Sequence, residues 1–108
     1  MKTTTYTFSE SDVFTLAVFN PQFRDALTAI LTQYREGLKV VPGCNELRFG
    51  CLFLSAVLNH RDGSYKSITA DISQKMQISL SSAYAYKREV LQTINKTLQE
   101  SDCVSVAY

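Results

Sequence analysis

At 108 residues the chain has the size of one domain, and an apolar fraction of 45% is enough for a modest core. A formal net charge of +1 excludes a uniformly basic coat for nucleic acid, so attraction to a polyanion has to come from local charge. Three cysteines, Cys44, Cys51 and Cys103, odd in number and without a Cys-x-x-Cys pair, fit neither a disulfide framework nor a zinc site.

The elements follow in chain order. Residues 3–8 are β-branched and aromatic, and read either as a short strand or as a frayed terminus. Ser9, with Asp12 three positions on, marks a helix start, and Val13, Leu16, Ala17 and Phe19 or Asn20 follow at turn spacing. Asn20-Pro21 cuts that pattern and begins a second helix, because proline suits the first helical position and asparagine the cap before it. Phe23, Leu27, Ile30, Leu31 and Tyr34 form its apolar stripe, Gln22, Asp25, Thr28, Thr32, Gln33, Arg35 and Glu36 its polar face, and Gly37 is its expected C-terminal cap. Pro42-Gly43 signals a turn. A third helix runs from Asn45 to about Asn59 or His60 and is apolar on nearly every side, so its own domain or a partner subunit buries it. Gly50 in its middle marks a close helix crossing. His60, the sole histidine, is a surface or capping residue before the turn Arg61-Asp62-Gly63-Ser64.

The stretch that follows carries the function. Asp71-Ile72-Ser73-Gln74-Lys75-Met76-Gln77-Ile78-Ser79-Leu80-Ser81-Ser82-Ala83-Tyr84-Ala85-Tyr86-Lys87-Arg88-Glu89-Val90 reads as a short helix, a tight corner and a second helix. Ile72 and Met76 share a helix face, Ile78 plugs the corner, and Ser79 stands at the next N-cap. Ala83, Tyr86, Val90, Ile94 and Leu98 then make one apolar stripe to about Glu100. Between Arg61 and Arg88 five basic residues (Arg61, Lys66, Lys75, Lys87, Arg88) face two acidic ones (Asp62, Asp71), a local excess that coincides with this corner.

This run resembles the helix-turn-helix of bacterial, plasmid and phage DNA-binding transcriptional regulators, which commonly reads D-I-A-x-K-L-G-I-S-x-S-T-V-Y-R-Y-L-R-E. It departs at Ser73 for alanine, at Gln77 for the corner glycine, and at Leu80 where a polar or basic residue often meets DNA. The segment Pro42-Gly43-Cys44-Asn45-Glu46-Leu47-Arg48-Phe49 is similar, more weakly, to the Pro-Gly-x-x-x-E-x-x-F segment of small adhesin-operon regulators, with Glu46 one place early. The resemblance implies sequence-specific binding of double-stranded DNA by a homodimer, with the second helix in the major groove. The residues then placed at the DNA are Ser79, Leu80, Ser81, Ser82, Tyr84 and Ala85 at or near base edges, and Lys66, Lys75, Lys87 and Arg88 toward the phosphates. The competing reading is a protein-binding module or inhibitor of phage or plasmid origin, in which Leu80 and Tyr84 form the interface.

Catalysis finds little support. One histidine, four scattered glycines and no paired carboxylates supply neither a catalytic dyad nor a phosphate loop, and no cofactor or metal is implied. No signal peptide is visible. The longest apolar run, 49–58, is about half the roughly 20 residues a bilayer needs, so a cytoplasmic chain with no membrane partner is expected. The fold expected is mainly α, a compact single-domain bundle of about five helices. Residues 1–43 make an N-terminal helical part, 44–100 a helical core with the helix-turn-helix at 68–92, and 101–108 a tail or strand. Residues 103–108 alternate like a strand that can pair with 3–8 or with a second copy.

Overall fold

A computed structural model describes residues 9–60 and 68–101, and side chains as far as Thr97. The described residues form five helices: α1 (Glu10–Phe19), α2 (Pro21–Val40), α3 (Asn45–Asn59), α4 (Thr69–Met76) and α5 (Leu80–Ser101). The fold is therefore all-helical, with no strand among the described residues. The two segments read as terminal strands, 3–8 and 103–108, lie outside them, as do the turn at 61–64, Lys66 and Cys103. No described helix is long and apolar enough to cross a membrane.

Local chemistry sets the first boundaries. The Ser9 hydroxyl accepts from the Asp12 amide at 3.2 Å while the Asp12 carboxylate accepts from the Ser9 amide at 3.1 Å, a reciprocal capping box. Asn20 serves two helices: its amide donates to the Leu16 carbonyl at 2.8 Å and closes α1, and its Oδ1 accepts from the Phe23 amide at 3.0 Å and opens α2. Its extended backbone turns the chain between them.

Gly37 is not the end of α2. The helix continues to Val40, and the Val41 amide still donates to the Gly37 carbonyl at 2.9 Å. The stop comes from Pro42, whose ring forces Val41 out of the helical region. Gly37 instead makes room, since a Cβ there would sit 3.0 Å from Leu47 Cδ1 of α3. The expectation for Gly50 holds: a Cβ there would overlap the Tyr34 ring, so α2 and α3 cross closely at this glycine.

α3 is the hub, packing against each of the other four helices. Its Phe49, Phe53, Leu54 and Val57 are fully buried, in one continuous core with Phe23, Leu27 and Ile30 of α2 and Val90 and Ile94 of α5. The α1 stripe needs a correction. Val13, Phe14 and Ala17 are buried, whereas Phe19 is 72% exposed, because a helix apolar on most sides gives its period no authority over which face turns inward. Phe14 meets Phe53 edge-on, with centroids 6.4 Å apart, and meets the His60 ring at 5.0 Å. His60 closes α3, its amide donating to the Val57 carbonyl at 3.1 Å.

Two side chains tie helices together over distance. The Arg24 guanidinium donates to the Ala17 carbonyl at 3.1 Å and to the Leu58 carbonyl at 3.0 Å, so one cation satisfies carbonyls near the C-terminal ends of α1 and α3. Tyr34 reaches α5 through a hydrogen bond with the Thr93 side chain. Burial holds its phenol above the usual tyrosine range. Glu46, Cys51 and Glu89 add to that, and the Thr93 bond opposes it.

Candidate nucleic-acid interface

The α4–α5 corner is built from its own residues. Ile72 and Met76 of α4 and Ala83, Val90 and Ile94 of α5 are buried, and Ile78 between the helices packs against the same core. Ser73, 6% exposed, fits where the helices touch and donates its hydroxyl to the Ala70 carbonyl at 2.7 Å. α4 ends in a two-bond closure: the Gln77 amide donates to the Gln74 carbonyl at 3.2 Å and the Ile78 amide to the Ser73 carbonyl at 3.0 Å. That closure needs a left-handed residue, and Gln77 supplies it at φ 58°, ψ 45°, the only non-glycine residue with positive φ among those described.

A side chain in that conformation is strained by roughly 1–2 kcal/mol, whereas glycine is not. Part of the gain is lost because glycine frees the unfolded chain. Gln77→Gly is expected to stabilise the protein by about 0.5–1 kcal/mol, raising Tm by about 2–6 °C. Thermal unfolding followed by circular dichroism checks this, and an unchanged or lower Tm would count against the turn as described.

Ser79 caps α5. Its Oγ accepts from the Ser82 amide at 3.1 Å and lies 2.9 Å from the Ser82 hydroxyl and 3.3 Å from the Ser81 hydroxyl. Ser79 and Ser82 are thus partly committed to the helix start. Beyond them, Leu80, Ser81, Tyr84, Ala85 and Arg88 are all exposed. Their spacing of i, i+1, i+4, i+5 and i+8 is one helix face, about 12 Å long at 1.5 Å per residue. Leu80 is 48% and Tyr84 42% exposed. Lys75 stands exposed in the last turn of α4.

Lys87 is placed differently from its neighbour Arg88. Its Nζ lies 3.4 Å from Glu10 Oε1 and 4.8 Å from the centre of the Tyr84 ring, and its side chain is 24% exposed. Glu10, in the first turn of α1, is only 5% exposed. Its Oε2 accepts from the Ile68 amide at 3.3 Å and its Oε1 from the Thr69 hydroxyl at 3.4 Å. No sequence signal singles out Glu10 for this role, since an acidic residue in a first turn ordinarily reads as a helix-dipole partner. Its arrival lowers the local positive excess that the sequence alone suggests.

Of the sequence-predicted set, the structure therefore gathers Leu80, Ser81, Tyr84, Ala85 and Arg88 on one face, with Ser79 and Ser82 at its capped start. Lys75 sits on the preceding helix, Lys87 turns toward α1, and Lys66 lies outside the described residues. Cys44 precedes α3, and Cys51 is half-buried, its thiol pushed up by burial against an opposing effect of Arg35. No protein-family model, curated protein or solved structure matches the chain.

Proposed function

We propose that the chain binds double-stranded DNA through the α4–α5 corner and acts as a small transcriptional regulator. The observation that carries this reading is the exposed strip Leu80, Ser81, Tyr84, Ala85 and Arg88 on a helix held by the short α4 and a tight turn. Its length of about 12 Å is comparable to the width of the major groove. In that pose Ser81 offers hydrogen bonds to base edges, Leu80 and Ala85 suit thymine methyls, and Arg88 and Lys75 approach phosphates. With a net charge of +1 a single copy makes few phosphate contacts. A homodimer doubles them and sets two reading helices about one DNA turn, roughly 34 Å, apart.

A second reading rests on a specific observation: Leu80 and Tyr84 are large, apolar and exposed side by side on this face, while Lys87 is neutralised by Glu10. Such a face also suits a protein partner. Titration of duplex DNA from the gene's own promoter at several salt concentrations separates the two. For the DNA reading, the wild type gives a discrete, salt-sensitive complex. Arg88→Ala weakens it on every sequence and lowers the slope of log K against log salt by about one. A folded protein that binds no duplex moves the assignment to a protein interface, in which Leu80→Ala and Tyr84→Ala become the damaging substitutions.

A further inference from the structure

The two oxygens of Glu10 make three polar contacts with two elements that are far away in sequence. Oε2 takes the Ile68 amide and Oε1 takes the Thr69 hydroxyl, 58 and 59 positions along the chain, and Oε1 also faces the Lys87 ammonium at 3.4 Å. α4 lacks a side-chain cap of its own, because the residue at its cap position is Ile68. Glu10 supplies from α1 what that position lacks, an acceptor and a negative charge at the helix start. The same carboxylate fixes one point on α5, two turns beyond its cap. One buried group thus touches both helices of the corner and sits on a third.

We propose that Glu10 is the positioning residue of the corner: it caps α4 and engages Lys87, so that Lys87 sets the orientation of α5 instead of adding a charge at the DNA phosphates. The part concerning DNA rests on the function proposed above. The part concerning the Glu10–Lys87 lock does not. A carboxylate that is 5% exposed makes a costly partner to leave alone, so Lys87 stays with it when the outer face is occupied. Arg88, exposed and one residue on, is the cation left to meet a polyanion.

The test compares wild type, Lys87→Met, Arg88→Met and Glu10→Gln, plus the Glu10→Gln/Lys87→Met double variant, in two measurements. Methionine keeps much of the apolar bulk of either side chain, and glutamine keeps an acceptor for the Ile68 amide. In urea unfolding, the two substitutions are expected to be non-additive by at least about tenfold in the folding equilibrium constant. In salt titrations on duplex DNA, Arg88→Met lowers the slope by about one, whereas Lys87→Met weakens binding without changing the slope. Equal loss of slope in both variants overturns the proposal, because Lys87 is then a phosphate contact. Additive stabilities overturn it as well. Should no variant, nor the wild type, bind duplex DNA, the DNA reading fails while the unfolding cycle still decides the lock. Should Glu10→Gln fail to fold, amide exchange of the wild type decides instead. The Ile68 amide, which precedes the α4 ladder, is protected if Glu10 holds it, and exchange at the rate of an open amide rejects the lock.

Discussion

Replacing Gly50 by alanine is expected to destabilise the protein by about 2–3 kcal/mol, although alanine is the better helix former. Two effects oppose each other. Within α3, alanine gains about 1 kcal/mol over glycine in helix propensity. Against it, the new Cβ would occupy the space of the Tyr34 ring, overlapping Cε2 and Cδ2 and lying 3.2 Å from Cζ. The ring has limited freedom to yield, because it packs against the buried core at the α2–α3 crossing. Tyr34 is half-buried, so displacing its ring forfeits only part of the roughly 3–5 kcal/mol that a fully buried aromatic contributes, and that part together with the strain of the clash outweighs the propensity. A double variant makes the argument sharper. In a Tyr34→Ala background the obstruction is gone and only propensity remains, so adding Gly50→Ala is expected to stabilise by up to about 1 kcal/mol. Urea unfolding of the four proteins, followed by far-UV circular dichroism because the chain has no tryptophan, reads both signs. If Gly50→Ala costs the same in either background, the α2–α3 crossing is not held open by this glycine.

What could be read from the sequence was local. The Ser9–Asp12 capping box, the Asn20-Pro21 junction and the Ser79 cap use partners within three residues. The stripe of Ile72, Met76, Ala83, Tyr86, Val90, Ile94 and Leu98 follows helix geometry: five of these side chains are buried, Tyr86 is half-buried against the same core, and the Leu98 side chain lies outside those described. The exposed strip of the corner is legible for the same reason, being the complement of that buried stripe. What escaped is non-local or ambiguous. Gly37 looks like a helix end because glycine commonly is one, yet its neighbour is Leu47 on another helix. Phe14 and Phe19 are equivalent by composition, and only packing against Phe53 and His60 sends Phe14 inward. Nothing in the sequence marks Arg24, because the carbonyls it meets belong to α1 and α3. The Lys87 placement belongs here too. A basic residue late in a reading helix suggests a phosphate contact, and only the fold brings a glutamate from α1 to it.

Phe49→Ala is expected to be the most damaging single substitution, costing about 3–5 kcal/mol and lowering Tm by roughly 12–25 °C. Phe49 is fully buried on the helix that contacts every other one. It stacks on Phe53, with ring centroids 6.0 Å apart and planes at 16°, and meets the Tyr86 ring of α5 at 6.1 Å. That second contact gives the substitution a consequence beyond stability. Tyr86 lies between Ala85 and Lys87, on the turn of α5 that carries the exposed strip, so a cavity at Phe49 removes support directly behind it. The surroundings are aromatic rings and helices fixed on several sides, and such a site collapses poorly into a void. Phe49→Leu keeps most of the volume and is expected to cost about 1–1.5 kcal/mol, leaving the strip supported. Because a domain of this size has about 5–15 kcal/mol of total stability, the alanine variant would remain mostly folded at 25 °C but with a midpoint well below the wild type. Backbone amide exchange along α5 distinguishes its two effects. Uniform loss of protection across all five helices reports global destabilisation alone. A larger loss at residues 84–88 reports that Phe49 holds α5 against α3, which is the role its contact with Tyr86 assigns to it.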